Sequence, residues 1–123
     1  MIPMIKIPFL NKLNKRKTVS IVRLNGLIAS GARGGISDNA LASIFEKAFR
    51  KGNPSAVAFI INSPGGSPVQ SSLVGNRIKR LSEETKVPTI AFVEDVAASG
   101  GYWIASAANE IYEIGRASCR ERV

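Results

Sequence analysis

The segment Ala56–Ile61 (AVAFII) is an uninterrupted apolar run of strand length, and it leads straight into the glycine-rich Asn62–Ser67 (NSPGGS). A strand apolar on every residue has to be covered on both faces, the usual condition of a parallel strand in an α/β sheet. The flanking sequence repeats the arrangement. Thr18–Leu24 (TVSIVRL) is rich in β-branched residues and reads as a buried strand closed by the turn signal Asn25-Gly26. After Pro88 the chain restarts as a strand over Thr89–Val93, and Glu94–Ala98 leads to Ser99-Gly100-Gly101. Ile111-Tyr112 begins a further strand.

Helical periodicity fills the intervals. After the loop Ser30–Ser37 (SGARGGIS), Ser37 or Asp38 can cap a helix over Asn39–Lys51, with Leu41, Ile44, Phe45 and Phe49 on one face and Gly52-Asn53-Pro54 as its stop. A second helix runs from about Val69 to Lys86, with Val74, Ile78 and Leu81 at helical spacing, and Tyr102–Ala108 reads as a third. This alternation predicts an α/β architecture with parallel strands and right-handed crossovers. Ligands in such sheets sit at the carboxyl ends of the strands. Both glycine loops, Asn62–Ser67 and Ala97–Gly101, follow strands, so they are expected at one edge of the sheet.

Composition narrows the chemistry. The 123 residues suit one domain or a fragment of a larger one. The net charge of +8 first suggests nucleic acid or anionic lipid. One basic cluster, however, sits at the N-terminus, Lys6, Lys12, Lys15, Arg16 and Lys17, and another at the C-terminus, Arg116, Arg120 and Arg122. With no basic stripe interleaved with aromatics between them, solvated termini are favoured and no nucleic-acid partner is expected. Cys119 is the one cysteine, so no disulfide forms within the chain and a reducing, cytoplasmic setting is the simpler assumption. No stretch approaches the ~18 apolar residues of a membrane span. Residues 1–17 read as a basic, flexible lead-in, with peripheral membrane association as the weaker option. No metal-ligand spacing occurs, GARGG at Gly31–Gly35 lacks the strand-turn-helix context of a phosphate loop, and no cofactor is expected.

The last ten residues, Ile114–Val123 (IGRASCRERV), break the pattern. They resemble, codon for codon and in order, the translation of a common sequencing-adapter oligonucleotide. The segment 114–123 is therefore set aside from fold reasoning. Residues 18–113 are taken as the native domain part, expected to be incomplete at its C-terminus.

Ser99 carries the chemistry. It follows Ala97-Ala98 and precedes Gly100-Gly101 at a strand-to-helix junction. There a hydroxyl is exposed, backbone N–H groups lie beside it, and the helix start favours developing negative charge. Glycines let a substrate backbone approach closely. In the other loop, Pro64 fixes one turn, and the N–H of Gly66, with Gly65 beside it, could join that of Gly100 in holding an oxyanion. The alternative is that both are plain tight βα turns. The chain has no histidine, so a Ser-His-Asp triad is excluded within it. No Ser-x-x-Lys occurs either, which excludes the β-lactamase-type arrangement. A Ser-Lys dyad remains, since burial can lower a lysine pKa into the range of a base.

The motifs INSPGGSP at Ile61–Pro68 and VEDVAASGGYWIA at Val93–Ala105, with VRLNGLI at Val22–Ile28, resemble the signal peptide peptidase A and SohB-like serine peptidases of family S49. The likeness covers about residues 18–112. It implies the fold shared by crotonases and the Clp protease subunit, repeated β-α units around a parallel sheet. It implies Ser99 as nucleophile, Gly66 and Gly100 as oxyanion donors, and Ser63, Pro64, Gly65, Ser67 and Gly101 as the loops that receive a peptide substrate. The family's lysine base lies well downstream of the serine, beyond Tyr112, so no lysine of this chain is assigned that role. Lys47, Lys51 and Lys79 read as surface charges, and Lys86, just ahead of the strand leading to the site, is the least poor substitute. The resemblance further implies peptide-bond hydrolysis of signal peptides or membrane-protein fragments, and a homo-oligomer at full length. Two rivals stay open: a non-catalytic scaffold relative of the same fold, and an acyl-thioester enzyme of the crotonase type. Glu94-Asp95 is expected as loop charges supporting the turn, Tyr102 and Trp103 as packing residues, and Ser106 as structural.

Overall fold

A computed structural model describes residues 17–31 and 35–113. The lead-in, the middle of the GARGG segment and the adapter-like tail lie outside the described residues, apart from Lys17, Gly31 and Gly35. The elements in order are β1 (Val19–Asn25), α1 (Asp38–Arg50), β2 (Ala56–Ser63), α2 (Pro68–Thr85), β3 (Thr89–Ala97), α3 (Gly100–Ser106) and β4 (Glu110–Glu113). The four strands form one sheet in the order β1-β2-β3-β4, and every pair is parallel. The chain has an α/β fold, as its alternating pattern requires.

Register explains which residues make the core. Val22, Phe59 and Ala91 lie in one row across the sheet, and Leu24, Ile61 and Val93 in another; all six are buried. The alternate row of Ile21, Ala58 and Ile90 points to the other face, where Ile21 is exposed and Ile90 partly covered. Strands wound one way in chain order put their crossovers on one side, and the buried rows face the three helices. α1 contributes Leu41, Phe45 and Phe49, and the rings of Phe45 and Phe49 meet that of Phe59 at centroid distances of 5.4 and 6.2 Å. At a few kcal/mol for each buried aromatic side chain, this cluster is a large part of what holds α1 to the sheet.

Local chemistry sets the helix ends. Ser37 caps α1, its Oγ accepting from Ala40 N–H, while Asp38 in the first turn and Lys47 and Arg50 in the last complement the helix dipole. Ser67 caps α2 and accepts from Gln70 N–H, with Pro68 in the first turn. Lys86 ends α2 in the left-handed conformation, at φ 60°. Asp38 also receives both guanidinium hydrogen bonds of Arg77, at 2.6 and 3.0 Å, and so ties the start of α1 to α2. At the far end of the sheet, Asn109 Oδ1 accepts from the N–H and hydroxyl of buried Thr89, fixing the turn into β4.

Four expectations need correction. β2 does not end at Ile61; it runs on through Asn62 and Ser63, so the glycine loop begins only at Pro64. β3 does not end at Val93; it continues to Ala97, so Glu94 and Asp95 lie on a strand. Glu94 pairs with Arg23 of β1 at 2.9 Å, and Asp95 is exposed. α3 begins at Gly100, two residues before the position that periodicity suggests, because both glycines pack inside its first turn. Finally, α3 buries Gly100, Gly101, Ile104 and Ala105, which turns Tyr102 and Trp103 outward, each close to half exposed. They do not pack in the core.

Candidate active site at the carboxyl edge

Each parallel strand ends at the same edge, and three chain segments converge there: the turn after β1, the glycine loop after β2 and the Ser99 junction after β3. Gly26 N–H donates to Asn62 O, Ile28 N–H to Gly65 O, and Ser67 N–H to Ile28 O. Ala98 N–H donates to Ser63 O, at 3.1 Å. The two loops singled out in the sequence are therefore stitched to one another.

The contact is close. A Cβ added to Gly65 would lie 2.9 Å from Ser99 Cβ and 3.1 Å from Gly100 N. A Cβ on Gly101 would lie 2.7 Å from Ser63 O, and one on Gly100 would collide with Ser71 Oγ. Glycine is required at Gly65 for a second reason, its φ of 108°. Nothing larger than hydrogen fits between the loops, so Ser99 and the amide of Gly100 sit directly against the Gly65-Gly66 turn.

Ser99 has φ 53° and ψ −117°, a conformation that side chains with a Cβ avoid. A backbone of this kind costs about 1–3 kcal/mol and persists only where the surroundings enforce it. Here Ser63 O holds Ala98 on one side, and on the other Ser99 O accepts from Trp103 N–H within α3. The residue is exposed, and its hydroxyl makes no capping bond to the helix it precedes. The strand-to-helix turn thus presents a free Oγ, as a nucleophile on a sharp turn requires. Neither Gly66 N–H nor Gly100 N–H donates to any group among the described residues. Both amides remain available beside the hydroxyl, and the Gly100 amide opens α3.

The remaining loop residues divide. Pro64 and Gly66 are exposed, and Ser67 is partly covered as the α2 cap. Ser63, Gly65 and Gly101 are buried. Ser63 Oγ accepts from Gly65 N–H at 3.1 Å, so this hydroxyl shapes the loop from within and has no open path to a substrate. Ser106 donates to Trp103 O at 2.7 Å, a local bond in the last turn of α3, in keeping with a structural part.

The parallel topology also disposes of the lysines. Lys86 precedes β3 and Ser99 follows it; nine strand residues at about 3.3 Å each separate them by roughly 30 Å. Lys86 is therefore no substitute base. Lys47 and Lys51 lie at the end of α1, and Lys17 precedes β1, all three at the amino edge. Lys79 stands eleven residues along α2 from Pro68, about 16 Å down the axis at 1.5 Å per residue. Among the described residues no lysine reaches the Ser99 edge. No group of three or more metal-ligating side chains occurs among them either.

One residue escaped the sequence reading. Asn62 lies on β2, one position before Ser63, and its Oδ1 accepts from Val96 N–H of β3 at 3.2 Å. Its place inside the NSPGG motif was the available signal.

The fold and this site define a parallel α/β chain that carries, at the carboxyl edge of its sheet, a strained serine beside loop amides with no partner among the described residues. The family model "Peptidase family S49" matches residues 82–117. The Arabidopsis thaliana protein "Serine protease SPPA, chloroplastic" is 42% identical over 103 residues, covering 78% of this chain and 15% of that protein. A Brucella melitensis protein named "Na(+)/H(+) antiporter NhaA" is 50% identical over 96 residues, covering 76% of this chain and 13% of that protein. Of solved structures, the 1510-N membrane-bound stomatin-specific protease, in a serine-to-alanine variant, superposes with a TM-score of 0.58 at 19% identity, over 80% of this chain and 44% of that one. Residues 82–117 are thus similar to peptidase family S49, and the chain is similar over most of its length to a serine protease of the SPPA type. It spans less than a fifth of the length of the two curated relatives named here. No described helix is long and apolar enough to cross a membrane.

Proposed function

We propose that this chain is the nucleophile-bearing part of a serine peptidase. Ser99 Oγ attacks the carbonyl carbon of a peptide bond, and the amides of Gly66 and Gly100 hold the oxygen as it becomes negative. The proton leaves Oγ for a neutral lysine amine outside the described residues. That lysine returns it to the departing amine as the C–N bond breaks, and water then cleaves the ester on Ser99. The observation that carries the reading is the backbone of Ser99: a strained turn, kept although it costs stability, that leaves a hydroxyl exposed and unbonded beside two free amides.

A scaffold without catalysis would have no use for that strain, and an acyl-thioester enzyme would need the amides but not the serine. Peptides are the substrate class, supported by a structure of the 1510-N protease, in a lysine-to-alanine variant, solved in complex with a substrate peptide. Signal peptides or membrane-protein fragments as substrates, and a homo-oligomeric full-length protein, extend the same reading by family likeness.

The test is covalent labelling by a fluorophosphonate probe in an intact protein that carries this segment and its lysine. Labelling should map to Ser99 and disappear in Ser99→Ala. Equal labelling of the two proteins would exclude Ser99 as the nucleophile.

A further inference from the structure

The ladder between β2 and β3 carries an irregularity next to the site. Ile61 pairs with Val93, yet Ser63 pairs with Ala97. Over that interval β2 advances two residues and β3 advances four. The surplus backbone lies at Glu94–Val96, where β3 cannot complete regular pairs. Its Val96 N–H would lack a strand partner, and Asn62 Oδ1 supplies one. The same asparagine's carbonyl accepts from Gly26 N–H at 2.9 Å, so Asn62 touches the turn after β1 as well.

The bulge sets where Ser99 emerges. With Ser63 aligned to Ala97, Ala98 N–H meets Ser63 O, and the next residue is delivered against Gly65. A regular ladder would pair Ser63 with Asp95 instead and carry Ser99 two residues, about 6–7 Å, farther past the glycine loop. Ser99 would then lie beyond the amides of the Gly65-Gly66 turn.

We infer that Asn62 is a positioning residue for the nucleophile: its side chain holds the β3 bulge that brings Ser99 into register with the glycine-loop amides. The inference rests on the reading of Ser99 as nucleophile and adds a second requirement to it. Asn62 touches neither Ser99 nor the proposed oxyanion, and it acts through the backbone of Val96, Ala97 and Ala98. A misplacement of about 1 Å near reacting atoms can cost on the order of a hundredfold in rate. The carboxylate of Asn62→Asp keeps the acceptor oxygen, whereas Asn62→Ala removes it.

The experiment measures the second-order rate of fluorophosphonate labelling at Ser99 in the intact protein, well below the unfolding midpoint of each variant. Asn62→Ala should lower the rate by roughly ten- to a hundredfold, and Asn62→Asp should restore it to within a few-fold of the parent. A residue that only stabilised the fold would lower the midpoint and leave the rate of the folded protein unchanged; that outcome overturns the inference. Amide exchange of Val96 in the unaltered protein gives a measurement that needs no variant to fold. Strong protection is expected, and exchange as fast as in an open loop overturns the inference. Labelling that survives Ser99→Ala would instead overturn the nucleophile assignment, so the two failures are distinguishable.

Discussion

The amino edge of the parallel sheet holds Lys86 and Asn53, and the carboxyl edge Ser99, in the left-handed half of backbone space, and the two edges use them differently. At the amino edge, Lys86 sits at φ 60° as the cap of α2, followed by an open surface lined by Phe49, Asn53 and Val87 around a cavity of about 410 Å³. At the carboxyl edge, Ser99 sits at φ 53° between loops that leave no room for another carbon. Lys86, at ψ 29°, lies in the ordinary left-handed well, where helix ends are stopped routinely. Ser99, at ψ −117°, lies outside it, in a region few residues with a Cβ enter. One edge tolerates its unusual residues, and the other enforces its own. Strain marks a functional site only where the neighbours over-determine it.

The largest test of this contrast is steric. Gly101→Ala should place its methyl 2.7 Å from Ser63 O, forcing the two loops apart. A loss of about 3 kcal/mol is expected, read as a lower urea midpoint, together with loss of Ser99 labelling. Gly52→Ala, at the amino edge with nothing within 4 Å of the added carbon, carries only the penalty of its φ of 74° and should cost about 1 kcal/mol. Equal losses at both sites would remove the claim that the carboxyl edge is the crowded one.

A pair of glycine substitutions probes the strain itself. Ser99→Gly and Lys86→Gly both relieve a positive φ, and each should raise stability by up to about 1 kcal/mol, visible as a higher melting temperature. Only Ser99→Gly should abolish labelling. A melting temperature that falls in Ser99→Gly would show that the serine turn is not strained.

The smallest effect concerns charge. Asp38 and Arg77 are each about one-fifth exposed, whereas Arg50 and Glu84, near the amino edge, are close to half exposed. Hydrogen bonds from Arg77 hold the Asp38 carboxyl below its usual range, outweighing the opposing effect of partial burial. Because the folded value is the lower one, Asp38 stabilises the fold above the unfolded value of about 3.9, and its contribution fades as pH falls through the folded value. Asp38→Asn should therefore cost somewhat under 1 kcal/mol at pH 7 and progressively less below pH 4. Glu84→Gln should be indistinguishable from the parent in the same titration of denaturant midpoints. A pH-independent loss in Asp38→Asn would assign its effect to packing.

Much of this was legible in the chain itself, for reasons that depend on position. The Ala56–Ile61 run, the Ser37 cap and the Leu41, Phe45 and Phe49 face report local physics, and the elements they predict appear within a residue or two. The meeting of the two glycine loops followed from parallel topology alone. The same topology already placed Lys86 at the wrong end of its strand, a consequence the residue-by-residue reading passed over. What could not be read was whatever a partner strand decides. The bulge at Glu94–Val96 exists only in the pairing of β3 with β2, so Glu94 and Asp95 looked like loop. The first turn of α3 looked like the end of a glycine loop, because its reason for glycine is Ser63 and Ser71, far away in sequence. Tyr102 and Trp103 carry the composition of a core but fall on the turn that α3 directs outward.

The strand order has a consequence for how the fold is reached. Because β1, β2, β3 and β4 lie side by side in the order in which they occur, every ladder joins strands adjacent along the chain. No later strand has to insert between two earlier ones. Each closing loop is one helix long, and its entropy is recovered when the next strand docks, before another loop is opened. The sheet can therefore grow in one direction as synthesis proceeds, each β-α unit templating the next, much as a solenoid does. The serine turn is laid down after the glycine loop that packs against it, so its strained backbone closes onto a frame already partly built.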